Sequence, residues 1–201
     1  MASKKNIIRA SLNTVNDEKI YENALDILKD IFENTNKWLQ FAEAKNGALI
    51  GANGLFLFKS VDYLFEIING KLKVDIFLVG LMTIIFFIAI LIALKSFFPN
   101  TDVYKDRLDV SDADDSNVDR ILIFYGDICK YQSSKLYLRD IYKHYLEVNI
   151  KTKYLKKIEL DYAKEILINS RITSYKYKLF GNAMKLNFIG IFIFLVFLII
   201  A

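Results

Sequence analysis

The 201-residue sequence has few of the residues that build disulfides, metal centres and catalytic sites. It contains one cysteine, Cys129, which excludes an internal disulfide, and one histidine, His144, which excludes a metal site made of several histidines. The two could form a Cys/His pair, but a structural or surface role is the simpler interpretation. The net charge of +4 is small for a nucleic-acid-binding protein. We therefore expect a non-enzymatic protein that needs no cofactor and binds no nucleic acid.

Charge is absent from two long stretches. Ile76 to Leu94 is a run of 19 uncharged residues, about 28 Å long as a helix and close to the hydrocarbon thickness of a bilayer. Residues 186–201 form a second uncharged run, and Lys185 before it can extend its ammonium to the headgroups. The pattern predicts an integral membrane protein.

A third span is predicted over residues 45–68, although this segment carries three charged side chains. Lys59, Asp62 and Glu66 share one helix face, where they can pair with one another or line a pore in an oligomer. Asn46 and Asn53 share another face with Ser60, and can either bond across a helix bundle or line the same pore.

The same segment contains a GxxxG pattern, formed by Gly47 and Gly51, which allows close packing against another helix. We assign gating or bundle packing to both glycines, as we do to Asn46 and Asn53. The segment is expected to form a hairpin with the second span, turning at Asn69 and Gly70.

The distribution of charge predicts the topology. The connection between the first two spans has only Lys71 and Lys73 as cations, whereas residues 99–185 hold 16 Lys or Arg. By the positive-inside rule, we expect the N-terminus and residues 99–180 to be cytoplasmic in a multi-pass membrane protein. The predicted organisation is a flexible leader (1–16), a cytosolic amphipathic helix (17–44), transmembrane helices (45–68 and 76–98), an acidic linker (99–119), a cytosolic helical module (120–180) and a transmembrane helix (181–201).

The cytosolic module contains residues that could hold a nucleotide. Cations and hydroxyl groups can bind a phosphate, and tyrosine rings can stack on a base. Lysines and tyrosines that precede a membrane span are also common interfacial anchors, so both interpretations stay open. The candidate ligand-binding residues are Tyr125, Asp127, Lys130, Tyr131, Asn169, Arg171 and Lys176.

The local sequence pattern is less informative about secondary structure between residues 120 and 150. The run ILIFYGDI, Ile121 to Ile128, is compatible with either a strand or a buried helix. Ser133 or Ser134 can cap a helix that follows it.

Three stretches resemble conserved segments of one known family. WLQFAEAKNGALIGANG (Trp38 to Gly54), FYGDICKYQSSKLYL (Phe124 to Leu138) and AKEILINSRITSYKYKLF (Ala163 to Phe180) are similar, in this order, to motifs of the Pycsar transmembrane effectors. The resemblance extends from about Trp38 to Leu186. The sequence departs from nucleotide-sensing proteins in having no jelly-roll cyclic-nucleotide domain, so the resemblance supplies no sensor site.

The resemblance implies an anti-phage role. A partner pyrimidine nucleotide cyclase would make cyclic CMP or cyclic UMP, and the effector would respond by impairing the inner membrane, which causes abortive infection. Together with the periodicity, this predicts an all-α integral membrane protein with a transmembrane hairpin, a cytosolic helical module and a C-terminal transmembrane helix, and we expect it to form a homo-oligomer. The alternative is a passive membrane scaffold that anchors a cytosolic partner.

Overall fold

A computed structural model describes residues 2–98, 120–151 and 154–200, with side chains described from Glu18 onwards. Over these residues the fold consists of α-helices joined by turns, and no strand is present, which confirms the predicted all-α class. The predicted acidic linker, residues 99–119, lies outside the described residues. The helices are α1 (Ala2–Ile68), α2 (Ile76–Lys95), α3 (Tyr125–Ile128), α4 (Ser134–Tyr145) and α5 (Lys157–Ile200).

Helix α1 starts earlier than its sequence pattern indicates. It begins at Ala2, and residues 2–16, for which we predicted a flexible leader, have helical backbone. No Gly or Pro precedes Gly47, so no residue with a strong intrinsic bias against helix interrupts this stretch. The predicted amphipathic helix and the first predicted span are therefore parts of one helix.

The turn after α1 follows from its glycine. Gly70 adopts a φ of 70°, a left-handed conformation that costs glycine little. The N–H of Lys71 donates to the Glu66 carbonyl oxygen at 2.9 Å, which closes the end of α1. Asp75 then caps α2 by accepting a hydrogen bond from the Phe77 N–H at 2.9 Å. The hairpin predicted at Asn69 and Gly70 is present between α1 and α2.

The stretch from Ile121 to Ile128 contains no strand. It forms a turn followed by the short helix α3. The Ser133 hydroxyl accepts from the Lys135 N–H at 3.2 Å and so caps α4. Of the two serines that could cap this helix, the structure uses the first.

The chain divides into two compact units. Unit 1 comprises Met1–Trp38 and Asp102–Arg171, and unit 2 comprises Leu39–Thr101 and Ile172–Ala201. Helices α1 and α5 contribute residues to both units. The core of unit 1 is built from fully buried side chains of α1, α3, α4 and α5, which include Leu28, Ile128, Tyr137, Leu138, Ile141 and Ile166.

Unit 2 packs parts of α1, α2 and α5 together through aromatic rings. Phe56 stacks on Phe86 with 4.9 Å between ring centroids, and Phe194 meets Phe56 edge-on. A Cβ atom on Gly190 would lie 2.9 Å from two atoms of the Phe86 ring, so the missing side chain lets α5 approach α2 closely. The close approach between α5 and α2 in unit 2 therefore occurs at Gly190.

The predicted GxxxG strip makes no comparable contact within the described chain. Gly47 and Gly51 are exposed, and no atom lies within 4 Å of where a Cβ of Gly51 would be. A role of this strip in contacts with another copy stays a prediction.

Three helices among the described residues are long and apolar enough to cross a membrane, judged by length and composition. They are the Glu18–Ile68 part of α1, α2 and α5. This finding agrees with the three predicted spans.

Candidate ligand cavity and buried polar contacts

A cavity of about 480 Å³ lies in unit 1. Its volume falls in the range of about 300 to 1,000 Å³ that is usual for small-molecule sites. Ile20, Val148 and Ile150 supply apolar wall. The aromatic and charged residues that line it are Tyr21, Tyr142, Lys151, Tyr154, Lys156 and Glu159.

One wall of the cavity depends on a reversal of the chain after α4. Glu147 adopts a φ of 55°, in the left-handed region that non-glycine residues avoid at a cost of about 1–2 kcal/mol. On either side of it, the N–H groups of Leu146 and Val148 both donate to the Tyr142 carbonyl oxygen, at 3.2 and 3.1 Å. The helix therefore ends sharply, and the residues that follow, including Val148 and Lys151, line the cavity.

A buried carboxylate connects two of the residues that line the cavity. Glu159 lies in the first turn of α5 and has no exposed surface. One of its oxygens accepts a short hydrogen bond from the Tyr142 hydroxyl, and the other accepts from the Lys156 N–H at 2.9 Å. A buried charge is tolerated when it is hydrogen-bonded in this way. Glu159 thus joins α4 to the start of α5.

The same contacts keep the Tyr142 hydroxyl protonated. Burial, followed by the hydrogen bond to Glu159 and the charge of that carboxylate, raises the pKa of Tyr142. The hydroxyl is therefore a permanent donor to Glu159 over the physiological pH range.

Two of the lining residues are exposed cations, Lys151 and Lys156. The Lys156 ammonium is 3.1 Å from the centroid of the Tyr21 ring, a cation–π contact. A cavity lined by two lysines and several tyrosine rings suits an anionic ligand with a planar ring. Among the described residues, no group of three or more His, Cys, Asp or Glu side chains could hold a metal ion.

The residues predicted from the sequence to bind a ligand lie elsewhere, and none of the seven lines this cavity. Tyr125 lies in α3 and packs against Trp38 with 5.6 Å between ring centroids. The Asp127 carboxylate accepts from the Lys130 ammonium at 2.6 Å and from the Ile121 N–H at 3.2 Å. These two hydrogen bonds, the one from Lys130 first, lower the pKa of Asp127. The three residues Tyr125, Asp127 and Lys130 are thus neighbours in the α3 turn.

Tyr131 and Arg171 are also brought together. The Tyr131 carbonyl oxygen accepts from Arg171 Nη2 at 2.6 Å, and the buried Tyr131 hydroxyl donates to Asp140 at 2.7 Å. Asn169 instead donates to the Asn36 side chain at 2.8 Å. The positions of these residues are explained by contacts inside unit 1.

Lys176, the seventh predicted ligand residue, belongs to unit 2. Its ammonium lies 2.7 Å from the Glu43 carboxylate, and the side chain of Lys176 is only 11% exposed while that of Glu43 is 45% exposed. Asn46 donates to the Lys176 carbonyl oxygen at 3.3 Å and to the Ala42 carbonyl oxygen at 2.9 Å. A partly buried ion pair and a buried amide therefore lie side by side in unit 2.

The second predicted amide of α1 has a partner in α5. Asn53 and Asn187 are both buried, and Asn187 Nδ2 donates to Asn53 Oδ1 at 2.6 Å. Lys59 lies 3.8 Å from Asp62, with about half of each side chain exposed. Of the three predicted charges on this face, Lys59 and Asp62 pair with each other, whereas no ion pair to Glu66 occurs within the described part of the chain.

Some of these residues gave a usable signal in the sequence. Asn187 is the one amide in the apolar run of residues 186–201, and polar groups within a span commonly pair with another helix. The cavity gave no such signal, because Tyr21, Tyr142 and Lys156 come from distant parts of the chain.

The fold and these contacts define a helical membrane protein with a cavity-bearing unit and a unit rich in membrane-spanning helix. A comparison with protein families narrows this class. The model of the Pycsar effector protein domain matches residues 27–201, so the chain belongs to the Pycsar effector family, which acts in anti-phage defence. This confirms the resemblance seen in the sequence and extends it in both directions. Comparisons with curated proteins and with solved structures gave no match.

Proposed function

We propose that this protein is an anti-phage effector that a cyclic pyrimidine nucleotide, cyclic CMP or cyclic UMP, activates to impair the inner membrane and cause abortive infection. A partner pyrimidine nucleotide cyclase supplies the nucleotide. The observation that carries the proposal is the match to the Pycsar effector domain over residues 27–201. The protein itself catalyses no reaction and acts as a homo-oligomer with its N-terminus and residues 99–180 in the cytoplasm.

The residues of the two units support separate roles, with ligand binding in unit 1 and the effect on the membrane in unit 2. Unit 1 has a cavity of ligand size, whereas the candidate spans of unit 2 contain a buried amide pair and a partly buried ion pair between helices. Since α1 and α5 contribute to both units, a ligand that binds one arrangement of unit 1 more tightly can favour one arrangement of the membrane helices. A ligand with equal affinity for both arrangements would shift nothing.

The polar side chains of α1 are the proposed gating residues. The amides of Asn46 and Asn53 are each only partly hydrogen-bonded: Asn46 Oδ1 and Asn53 Nδ2 have no partner among the described residues. Such groups can form better hydrogen bonds in a second arrangement, or in contact with another copy. Lys59 and Asp62 are half exposed and are available to face water in an oligomer.

The test is leakage from dye-loaded liposomes that contain the purified protein. Titration with cyclic UMP, cyclic CMP and cyclic AMP is expected to release dye with a pyrimidine nucleotide only. The double variant Asn53→Leu/Lys59→Ala is expected to change the triggered leakage, whereas a matched loop variant, Lys73→Ala, is expected to leave it unchanged. Silence with all three nucleotides, despite correct insertion, would contradict the proposal and favour a membrane scaffold.

A further inference from the structure

We propose that the cavity lined by Tyr21, Tyr142, Tyr154, Lys151 and Lys156 is the site that receives the activating nucleotide. The identity of the ligand as a pyrimidine nucleotide rests on the proposed function. Its location rests on the geometry of unit 1 and replaces the set of residues that we predicted from the sequence.

The cations of the cavity are available to a ligand. The Lys156 ammonium lies over the Tyr21 ring, and no carboxylate of the described residues is within ion-pair distance of it or of Lys151. An ammonium in this situation gains more from a phosphate than it loses from the ring contact, because a charge-assisted hydrogen bond is stronger than an exposed cation–π contact. When Lys156 turns to a phosphate, the face of Tyr21 becomes free to stack on a base.

The cations predicted from the sequence are already engaged. Lys130 pairs with Asp127, Arg171 donates to the Tyr131 carbonyl oxygen and Lys176 pairs with Glu43. A phosphate that bound to any of these groups would compete with an existing internal contact. The cavity requires no such exchange of an ion pair, and this difference favours it as the site.

Glu159 acts as a positioning residue. Its carboxylate is fully buried and is occupied by the Tyr142 hydroxyl and the Lys156 N–H. It therefore positions the Tyr142 ring and the backbone of Lys156, whose exposed side chain lines the cavity. The nucleotide contacts the tyrosine rings and the lysine ammonium groups, while Glu159 keeps Tyr142 and Lys156 in place.

One residue of the cavity lies outside the region that matches the family. Tyr21 precedes residue 27, where the match to the family begins. The stacking surface beneath Lys156 therefore comes from a part of the chain outside the matched region.

The test is a calorimetric titration of the full-length protein in detergent with cyclic UMP, cyclic CMP and uridine. The double variant Lys151→Gln/Lys156→Gln is expected to weaken binding of the pyrimidine nucleotide by about tenfold for each lysine, because each loses a charge-assisted hydrogen bond. Binding of uridine, which carries no phosphate, should not change. The matched control Lys143→Gln/Lys164→Gln removes the same charge from exposed positions outside the cavity and is expected to keep the wild-type affinity.

The ring contact is tested separately. Tyr21→Leu is expected to weaken binding of uridine and of the nucleotide alike, whereas Tyr21→Phe should bind both like the wild type because it keeps the ring. Circular dichroism of each variant checks that the helices are intact.

The outcomes separate this inference from the proposed function. If the wild-type protein binds a cyclic pyrimidine nucleotide and the cavity variants bind it equally well, the ligand lies elsewhere and only the inference fails. Equal losses in the cavity and control variants would indicate a general effect of charge and would also overturn it. If the wild type binds neither nucleotide, the ligand of the proposed function is wrong as well.

Discussion

Glu159 in unit 1 and Asn53 in unit 2 are both fully buried, yet their surroundings differ. Both oxygens of Glu159 accept hydrogen bonds, whereas Asn53 uses Oδ1 and leaves Nδ2 without a partner among the described residues. A fully bonded buried group favours one arrangement of the chain, since any movement breaks a bond. A partly bonded amide gives less preference to the arrangement in which it is found. The comparison indicates that the buried groups around the cavity of unit 1 favour one arrangement, whereas those of unit 2 leave room for repacking.

The largest expected difference between the units is their response to alkaline pH. Burial, as the main cause, raises the pKa values of Tyr131, Tyr137 and Tyr142, all in unit 1, above the ordinary value of 10.0. The stability that these groups provide is fully present below pH 10 and is lost as the pH rises through their folded pKa values. We expect unit 1 to unfold in alkali before unit 2.

This expectation is checked by recording tyrosinate absorbance and far-ultraviolet circular dichroism together during an alkaline titration. Part of the tyrosinate absorbance is expected to appear only well above pH 10, together with a partial loss of helix. Tyr142→Phe should make the loss less steep. Ionisation of all tyrosines, including Tyr131, Tyr137 and Tyr142, near pH 10 with the helices intact would contradict the assignment of these three groups as buried donors.

A smaller effect is expected when the buried carboxylate of unit 1 is removed. Glu159→Ala leaves the Tyr142 hydroxyl and the Lys156 N–H without their acceptor, and we expect a loss of about 3 kcal/mol in the free energy of unfolding. Trp38, the one tryptophan, packs in unit 1 against Tyr125, so its fluorescence reports denaturation of that unit.

The matched control is Glu165→Ala, which removes an exposed carboxylate from the same helix. It should change the midpoint of denaturation little. Equal effects of the two substitutions would show that burial of Glu159 has no special role and would weaken the contrast between the units.

The smallest expected effect concerns the amide pair of unit 2. Asn53→Leu removes the acceptor of Asn187, and the double variant Asn53→Leu/Asn187→Leu removes the whole pair. We expect a coupling energy of about 1 kcal/mol, since hydrogen bonds between membrane helices are modest. The double variant should be no less stable than Asn53→Leu alone, because it leaves no unpaired amide.

The measurement is a double-mutant cycle on the loss of helix during denaturation in mixed detergent. Additive effects of the two substitutions would show that the pair contributes nothing measurable. A coupling of several kcal/mol would instead indicate that unit 2 is held as tightly as unit 1.

The parts of the structure that follow from local sequence were predictable. The charge-free run from Ile76 to Leu94 corresponds to α2, Gly70 provides the turn before it, and Ser133 caps α4. Each of these depends on a few adjacent residues whose length, conformational freedom or hydrogen bonding has one main outcome. The helical backbone of residues 2–16 follows less clearly from the sequence, because their polar composition favours a leader while the absence of Gly and Pro permits a helix.

The contacts that build the candidate sites were not predictable in the same way. Lys176 and Glu43 are 133 residues apart, as are Asn169 and Asn36. Lys176 was therefore grouped with Arg171, its neighbour in sequence, although the two belong to different units. Tyr21 and Lys156 are similarly distant in the sequence. No short pattern predicts that the ammonium of Lys156 lies over the Tyr21 ring of α1.

The close approach at Gly190 has a consequence for how the membrane helices are spaced. Two atoms of the Phe86 ring lie 2.9 Å from where a Cβ would be, so a single methyl group at position 190 would act as a wedge between α5 and α2. Because Phe86 stacks on Phe56 of α1, the displaced ring would in turn press on the third helix of this unit. The absence of a side chain at position 190 thus determines how closely α5 and α2 pack. Substitution by alanine and then by larger residues would increase the distance between these helices in steps, without altering any charge or hydrogen bond.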